Sequence, residues 1–231
     1  MASPFFFEEN LPDSDEFILS EETSRHITQV LRMKEEAQVI ITNGNGHTIT
    51  TKIISADKKK TKVKILLKEF SELQKPRTAI AISLIKNTNR FEWFVEKATE
   101  IGISAVIPLI CKRSEKTHFR TERIHSILVS AMLQSQQCWL PEISEPVKFF
   151  DLINKENYQQ RFIAHCLPEE KKELKDVVKK DSSRIILIGP EGDFTEEEIA
   201  QAIQQDYLPV SLGETRLRTE TAGVVASVLL K

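Results

Sequence analysis

The sequence predicts an α/β protein: a mainly parallel sheet covered by helices, preceded by a smaller, mostly β, barrel-like domain. β-branched runs fill much of the first seventy of its 231 residues. From Ala79 onward, strand patterns alternate with helical ones, which implies parallel strands buried on both faces. Near the C-terminus, Ile185-Ile-Leu-Ile-Gly-Pro-Glu-Gly-Asp-Phe-Thr195 and Val210-Ser-Leu-Gly-Glu-Thr-Arg-Leu-Arg-Thr-Glu-Thr-Ala-Gly223 each read as a buried strand, a glycine loop and a helix start. The length suits one large or two small domains.

In the first region Ser20, or next best Thr23, caps a helix running towards Leu31. Asn43-Gly-Asn-Gly46 lies between the β-branched runs Ala37–Thr42 and His47–Ile54 and predicts a hairpin. Thr61–Leu67 alternates Lys62 and Lys64 with Val63 and Ile65, giving one buried and one solvated face. Those lysines fit edge-strand protection, with RNA contact as the alternative. Gln74-Lys-Pro-Arg77 reads as a linker, so the domains span 1–73 and 76–231. Beyond it, strands are expected at Ala79–Ile85, Ala105–Ile110, Arg161–Cys166, Arg184–Gly189 and Leu208–Leu212. Helices are expected at Arg90–Ile101, Phe119–Gln137, Glu169–Lys179, Thr195–Gln205 and Thr219–Leu230. Gly102 suits a helix C-terminus, and Thr195 with Glu198 a capping box.

Composition narrows the function. The acidic N-terminus, Met-Ala-Ser-Pro-Phe-Phe-Phe-Glu-Glu, does not read as a signal peptide, and no apolar run is long enough to span a membrane. Cys111, Cys138 and Cys166 are scattered and odd in number, which predicts a reduced, cytoplasmic setting. The five histidines show no metal-ligand spacing, so no metal is expected. A net charge of −2 neither advertises nor excludes a nucleic-acid partner, because clusters such as Lys58–Lys60 and Lys112 to Arg123 matter more than the sum. Neither Gly-x-Gly-x-x-Gly nor a Walker loop is present.

The two glycine loops are where chemistry is expected. Ligands of open α/β sheets bind outside the carboxyl ends of strands. Pro190 fixes its own φ and lacks an N–H, while Gly192 is expected to take the special backbone conformation. Such a loop either presents backbone groups to a planar heterocycle or simply joins strand to helix. The second loop crowds Glu214, Arg216, Arg218 and Glu220 together before the small residues that open a helix. Paired strand-end glycines, Gly189 and Gly213, favour one pocket with two backbone walls over a solvated connection.

Several segments then resemble one family in order along nearly the whole chain. Ile188-Gly-Pro-Glu-Gly-Asp-Phe-Thr with Ser211-Leu-Gly-Glu-Thr-Arg-Leu-Arg-Thr-Glu-Thr-Ala resembles the bacterial 16S ribosomal RNA (uracil-N3)-methyltransferase family of the SPOUT superfamily. Arg90–Ile103, Ile107–Ser114 and Gln134–Pro141 are similar to further segments of that family. His26-Ile-Thr-Gln-Val-Leu-Arg-Met-Lys34 resembles the signature of its PUA-like RNA-binding domain. There are three departures. Asp193 stands where a third glycine is usual, tolerable if only Gly192 needs the special backbone; Lys112 replaces an acid before Arg113; and Glu35-Glu-Ala replaces a Gly-Asp turn.

The resemblance implies a SPOUT-type, trefoil-knotted, mainly parallel sheet with a small N-terminal PUA-like β-barrel domain. It implies a homodimer that binds S-adenosylmethionine through Ile188, Gly189, Pro190, Glu191, Gly192, Leu212, Gly213, Leu217, Arg218 and Thr221. The implied substrate is N3 of a uridine at about position 1498 of 16S rRNA, within the small ribosomal subunit and made reachable by flipping or in a single strand. Arg218 and Arg113 are candidates to stabilise a uracil ring losing its N3 proton, and Glu220 to orient an arginine or accept that proton. His26, Arg32, Lys34, Lys86 and Asn87 are the candidate RNA contacts. Two alternatives stand beside this reading: an RNA-binding protein that has lost its cofactor, and a knotted methyltransferase acting on ribose 2′-OH or on tRNA.

Overall fold

The computed structural model describes residues 3–12, 14–155 and 158–231. The chain divides into two compact units, Met1–Leu73 with Val129–Leu140 and Gln74–Leu128 with Pro141–Lys231.

The first unit is a five-stranded curled sheet. Its elements are β1 (Phe5–Phe7), β2 (Glu16–Ile18), α1 (Glu21–Arg25), β3 (Gln38–Thr42), β4 (His47–Ser55) and β5 (Lys62–Phe70). The strand order is β1-β3-β4-β5-β2, with only the β1–β3 pair parallel. Ser20 is the N-cap of α1, its hydroxyl accepting from Thr23 N at 3.2 Å. At His26 the helix widens into a π turn, His26–Val30. Nearby, Thr28 Oγ1 donates to Ser24 O at 2.8 Å and competes for a carbonyl of the α ladder. The expected hairpin forms, in register from Gln38↔Lys52 to Thr42↔Thr48. Alternation along these strands buries Val39, Ile41, Ile53 and Val63 with Phe6, Leu19 and Ile27. Lys62 and Lys64 are not on a bare edge: β2 pairs alongside, and Lys62 Nζ lies 2.6 Å from Glu16. Val129–Leu140 completes the unit, with Leu140 N donating to Gly44 O at 2.8 Å and Trp139 Nε1 to Ser71 O at 2.8 Å.

The second unit carries β6 (Thr78–Ser83), α2 (Thr88–Ile101), β7 (Ala105–Ile110), the start of α3 (Thr121–Gln134), β8 (Glu142–Ile143), β9 (Val147–Lys148) and α4 (Phe149–Lys155). Then follow β10 (Gln160–Ala164), β11 (Lys172–Glu173), α5 (Leu174–Val177), β12 (Arg184–Ile188), α6 (Glu196–Gln204), β13 (Leu208–Ser211) and α7 (Thr219–Leu230). Every pair in its sheet is parallel, in the order β11-β13-β10-β12-β6-β7-β8, with β9 also beside β7. All of β6 and β12 is buried, as a sheet covered on both faces requires. One face packs Phe149, Ile163, Ile185, Leu187, Phe194, Ile199 and Tyr207 together. On α7, a Cβ at Gly223 would sit 2.6 Å from the Phe94 ring and 2.9 Å from Ile82, so only glycine permits this close approach to α2 and β6. The buried Arg184 guanidinium donates to Leu230 O at 2.5 Å and Ser182 O at 2.9 Å, tying the end of α7 to the start of β12.

One expected feature is corrected, and three elements were not foreseen. Glu169–Lys179 is not one helix. Lys172 and Glu173 instead pair with Val210 and Ser211 as a short edge strand, leaving only one helical turn at α5. Pairing with a neighbouring strand overrides local propensity there. The short elements β8, β9 and α4 carry no sequence signal strong enough to predict. α4 is nevertheless firmly seated, burying Phe149, Leu152 and Ile153.

β6 has β7 on one side and β12, much later in the chain, on the other. Strand order therefore reverses at β6, which is where open α/β sheets place their ligand crevice.

Candidate active site

Four adjacent strands, β13, β10, β12 and β6, point their carboxyl ends at one region. A cleft opens there in two lobes, about 380 and 420 Å³, which share Ala164, Cys166, Arg216, Leu217 and Ala222 as walls.

The wall after β12 is built tightly. Asp193 N donates to Pro190 O at 2.9 Å and closes a turn. The left-handed residue of this loop is Asp193, at φ 63°, and not Gly192 as expected. The Asp193 carboxylate offsets the strain of that conformation. Its Oδ2 accepts from Cys166 N at 2.7 Å and its Oδ1 from Phe194 N at 2.8 Å. A short polar side chain that bonds the local backbone is what makes this conformation tolerable outside glycine. Arg113 Nη1 donates to Gly192 O at 2.6 Å and Phe194 O at 3.3 Å, clamping the loop from behind. Lys112, the second departure, pairs with Glu197 at 3.1 Å, and its N donates to Glu198 at 2.8 Å. Glu198 closes the expected capping box with Thr195. Glu191 accepts from Lys86 N at 3.1 Å, linking this loop to the end of β6. The Lys86 ammonium hydrogen-bonds Glu115 at 2.9 Å, which raises its pKa.

The wall after β13 is built lightly. Ser211 Oγ accepts from Gly213 N at 3.2 Å and donates to Gly213 O at 2.9 Å. Gly213 stands at φ 131° with open space where a Cβ would point, so it is required for backbone conformation and not for room. Glu214, Thr215 and Arg216 are exposed. Arg218 occupies the N-cap position of α7, and its O accepts from Ala222 N at 2.7 Å. Among the described residues, nothing hydrogen-bonds or pairs with the Arg216 or Arg218 guanidinium. Glu220 is buried, 3.6 Å from Arg90 Nε on α2.

Of the predicted cofactor wall, Gly189, Pro190, Glu191, Leu212, Gly213, Leu217 and Arg218 line the cleft, and Glu220 lines the lobe that holds Arg218. Ile188 is inside β12, Gly192 turns towards Arg113, and Thr221 sits on α7; none of the three lines either lobe. Lys86 and Asn87 are exposed at the end of β6, where Asn87 caps α2 by accepting from Asn89 N at 3.0 Å. In the first unit His26, Arg32 and Lys34 are all exposed; His26 meets Phe6 edge-on at 5.6 Å, and Arg32 has φ 52°. Sequence reasoning missed two cleft residues. Arg90 lay within a recognised segment without a role, and His165 follows a buried strand as its first polar residue. Among the described residues no group of three or more His, Cys, Asp or Glu could hold a metal ion, and no helix is long and apolar enough to cross a membrane.

Known proteins share both units. The family described as RNA methyltransferase domain matches residues 71–231, and the RNA methyltransferase PUA domain matches 19–66. The chain is 29% identical to ribosomal RNA small subunit methyltransferase E of Buchnera aphidicola, covering 98% of this chain and 91% of that protein. Its fold matches a "probable rRNA-methyltransferase" of Porphyromonas gingivalis with TM-score 0.90 at 35% identity, over 97% of this chain and 95% of the other. It also matches the ribosomal RNA small subunit methyltransferase E of Neisseria gonorrhoeae, solved bound to S-adenosyl methionine, with TM-score 0.86 at 25% identity over 98% and 95% of the two chains. A cleft at the strand-order reversal, walled by two backbone loops, on a chain matched through both domains: this protein belongs to the RNA methyltransferase family.

Proposed function

We propose that this chain transfers a methyl group from S-adenosylmethionine to N3 of a uridine, at about position 1498, in 16S rRNA of the small ribosomal subunit. The carrying observation is the convergence of the Gly189–Asp193 and Leu212–Arg218 walls on one cleft that also holds Arg90, Arg218 and Glu220. The cleft fits such a donor. Backbone walls suit a planar base, Leu217 offers apolar surface, and the arginines offer charge. When bound, S-adenosylmethionine supplies an electrophilic methyl on a sulfonium.

The chain's own groups have distinct tasks. Gly189, Pro190 and Glu191 on one side, and Leu212, Gly213 and Leu217 on the other, hold the donor for in-line attack. Arg218, unpaired and at the head of α7, stabilises the uracil ring as its N3 proton leaves. Arg113 is already engaged by loop carbonyls. Its first task is to fix the loop, and its charge acts from there. Glu220, 3.6 Å from Arg90, orients that guanidinium and is the candidate to accept the proton. Lys86 and Asn87 at the cleft side, and His26, Arg32 and Lys34 in the PUA-like unit, contact RNA phosphates and position the substrate.

We infer a homodimer. Exposed Trp93 on α2 and Val228 on α7, helices that pack together, support an apolar face for a second copy. Light scattering should give about twice 26.4 kDa, and a monomer across micromolar concentrations rejects this. For the activity, undermethylated small subunits are incubated with protein and donor, and the product is digested to nucleosides. N3-methyluridine at one site is expected. A 2′-O-methyl product, or methylation of tRNA in its place, overturns the assignment.

A further inference from the structure

His165 is the first residue beyond β10, between the two loops. Only 7% of its surface is exposed, and it lines the lobe walled by Leu212, Gly213 and Leu217. Among the described residues, neither Nδ1 nor Nε2 has a hydrogen-bond partner. Buried polar groups in folded proteins are almost always paired, so an imidazole with both nitrogens unmatched in a cleft wall is a group built for a ligand. Its environment also selects a protonation state. Burial foremost, then the Lys171 ammonium, lower its pKa, while Asp193 and Glu169 act more weakly in the other direction. At neutral pH the ring is uncharged, with one N–H donor and one acceptor nitrogen. The Lys171 ammonium is held by Leu167 O at 2.5 Å.

We propose that His165 is a donor-binding residue that hydrogen-bonds the adenosine half of the methyl donor. The inference rests on the assignment of S-adenosylmethionine to this cleft. An uncharged group with one donor and one acceptor complements partners that also carry both. In the methyl donor these are the ribose hydroxyls and the amino-bearing edge of adenine. The sulfonium, ammonium and carboxylate of the other half call for charged partners, and Arg90, Glu191, Arg218 and Glu220 line the neighbouring lobe. The imidazole lobe also carries Lys171, Glu214 and the shared Arg216, so it is the ring's paired donor and acceptor, and not an absence of charge around it, that matches it to the adenosine half.

The test uses full-length protein and S-adenosylhomocysteine, which keeps the adenosine half and lacks the reacting methyl. Titration calorimetry compares wild type, His165→Phe and His165→Gln. His165→Phe keeps a ring but loses both polar atoms, and its affinity should fall about tenfold or more. His165→Gln retains an uncharged donor and acceptor and should recover part of that loss. In wild type, saturation with S-adenosylhomocysteine should shift the His165 ring ¹⁵N resonances, a signature that a packing role alone would not give. Wild-type affinity in a folded His165→Phe overturns the proposal. So do ring resonances that stay unmoved at saturation, and that readout decides the matter if His165→Phe does not fold. Absence of any binding by wild type removes the donor assignment and this inference with it. Binding by wild type with a silent His165 removes this inference alone.

Discussion

The two walls of the cleft are equivalent in topology and opposite in construction. The loop after β12 is held by a turn bond, a carboxylate on two backbone N–H groups, an arginine on two carbonyls and a link to the end of β6. The loop after β13 keeps little beyond the Ser211–Gly213 bonds and the first turn of α7, and among the described residues its two arginines have no partner. Regions with few backbone and side-chain ties are those that yield first. One wall is therefore firmly tied, and the other has few ties to break. Arg218, the charge proposed to act on the uracil ring, sits on the wall with fewer ties.

The largest effect should come from the lightly tied wall. Arg218→Ala should lower the single-turnover methylation rate by roughly 10²–10³, about 2.7–4 kcal/mol of barrier, with S-adenosylhomocysteine affinity nearly unchanged. Arg218→Lys should restore only part, because a point charge does not replace a planar fork. A rate close to wild type would show that Arg218 is structural, and a matched loss of affinity would show that it builds the pocket. Next comes the firmly tied wall. Asp193→Ala removes two charge-assisted bonds and keeps an unfavourable backbone, so denaturant unfolding should show a loss of about 1.5–3 kcal/mol. An unchanged midpoint would mean that this wall is no more rigid than the other. Gly213→Ala should cost less, about 1 kcal/mol, since only backbone strain opposes it and the loop can relax. A cost equal to that of Asp193→Ala would erase the contrast. The smallest effect is chemical. A thiol reagent should modify exposed Cys166, and S-adenosylhomocysteine should slow it. Cys111, with its thiol pushed up to about 12 by burial, should stay unmodified. Mass spectrometry showing equal labelling of Cys111 and Cys166 in the folded protein would contradict the burial assigned here.

Much of this was legible in the residues. β7 and α7 lie where the sequence puts them, because each is an apolar run of the right length bounded by polar or glycine-containing turns. Both glycine loops were legible for the same reason, as interruptions at the ends of buried strands. The left-handed residue was not. Gly192 and Asp193 are neighbours, and which one takes positive φ depends on the turn closed by Pro190 and on a carboxylate reaching Cys166, a residue far away in sequence. Lys172–Glu173 looked helical because nothing local reveals that β13 lies alongside. His165 escaped notice because a polar residue is unremarkable until its burial and missing partners are known, and Arg90 because only the fold brings α2 beside Glu220. The segment Val129–Leu140 likewise reads as helix and loop, and contacts distant in sequence, such as Trp139 on Ser71, Leu140 on Gly44 and Cys138 O on Gly46 N, place it with the first unit.

The position of β13 has a consequence for how the molecule is made. It is the last strand in the chain, yet it lies between β10 and β11, both synthesised earlier. Until it arrives, β10 presents a row of unpaired backbone groups, bordered by apolar residues such as Phe162 and Ile163. An open edge of that kind invites pairing with other chains. Insertion late and between partners also demands contacts distant in sequence, which slows folding. The same event brings Leu212 and Gly213 to the cleft that Gly189 lines, so the nascent enzyme completes its ligand site and covers an open strand edge in a single step.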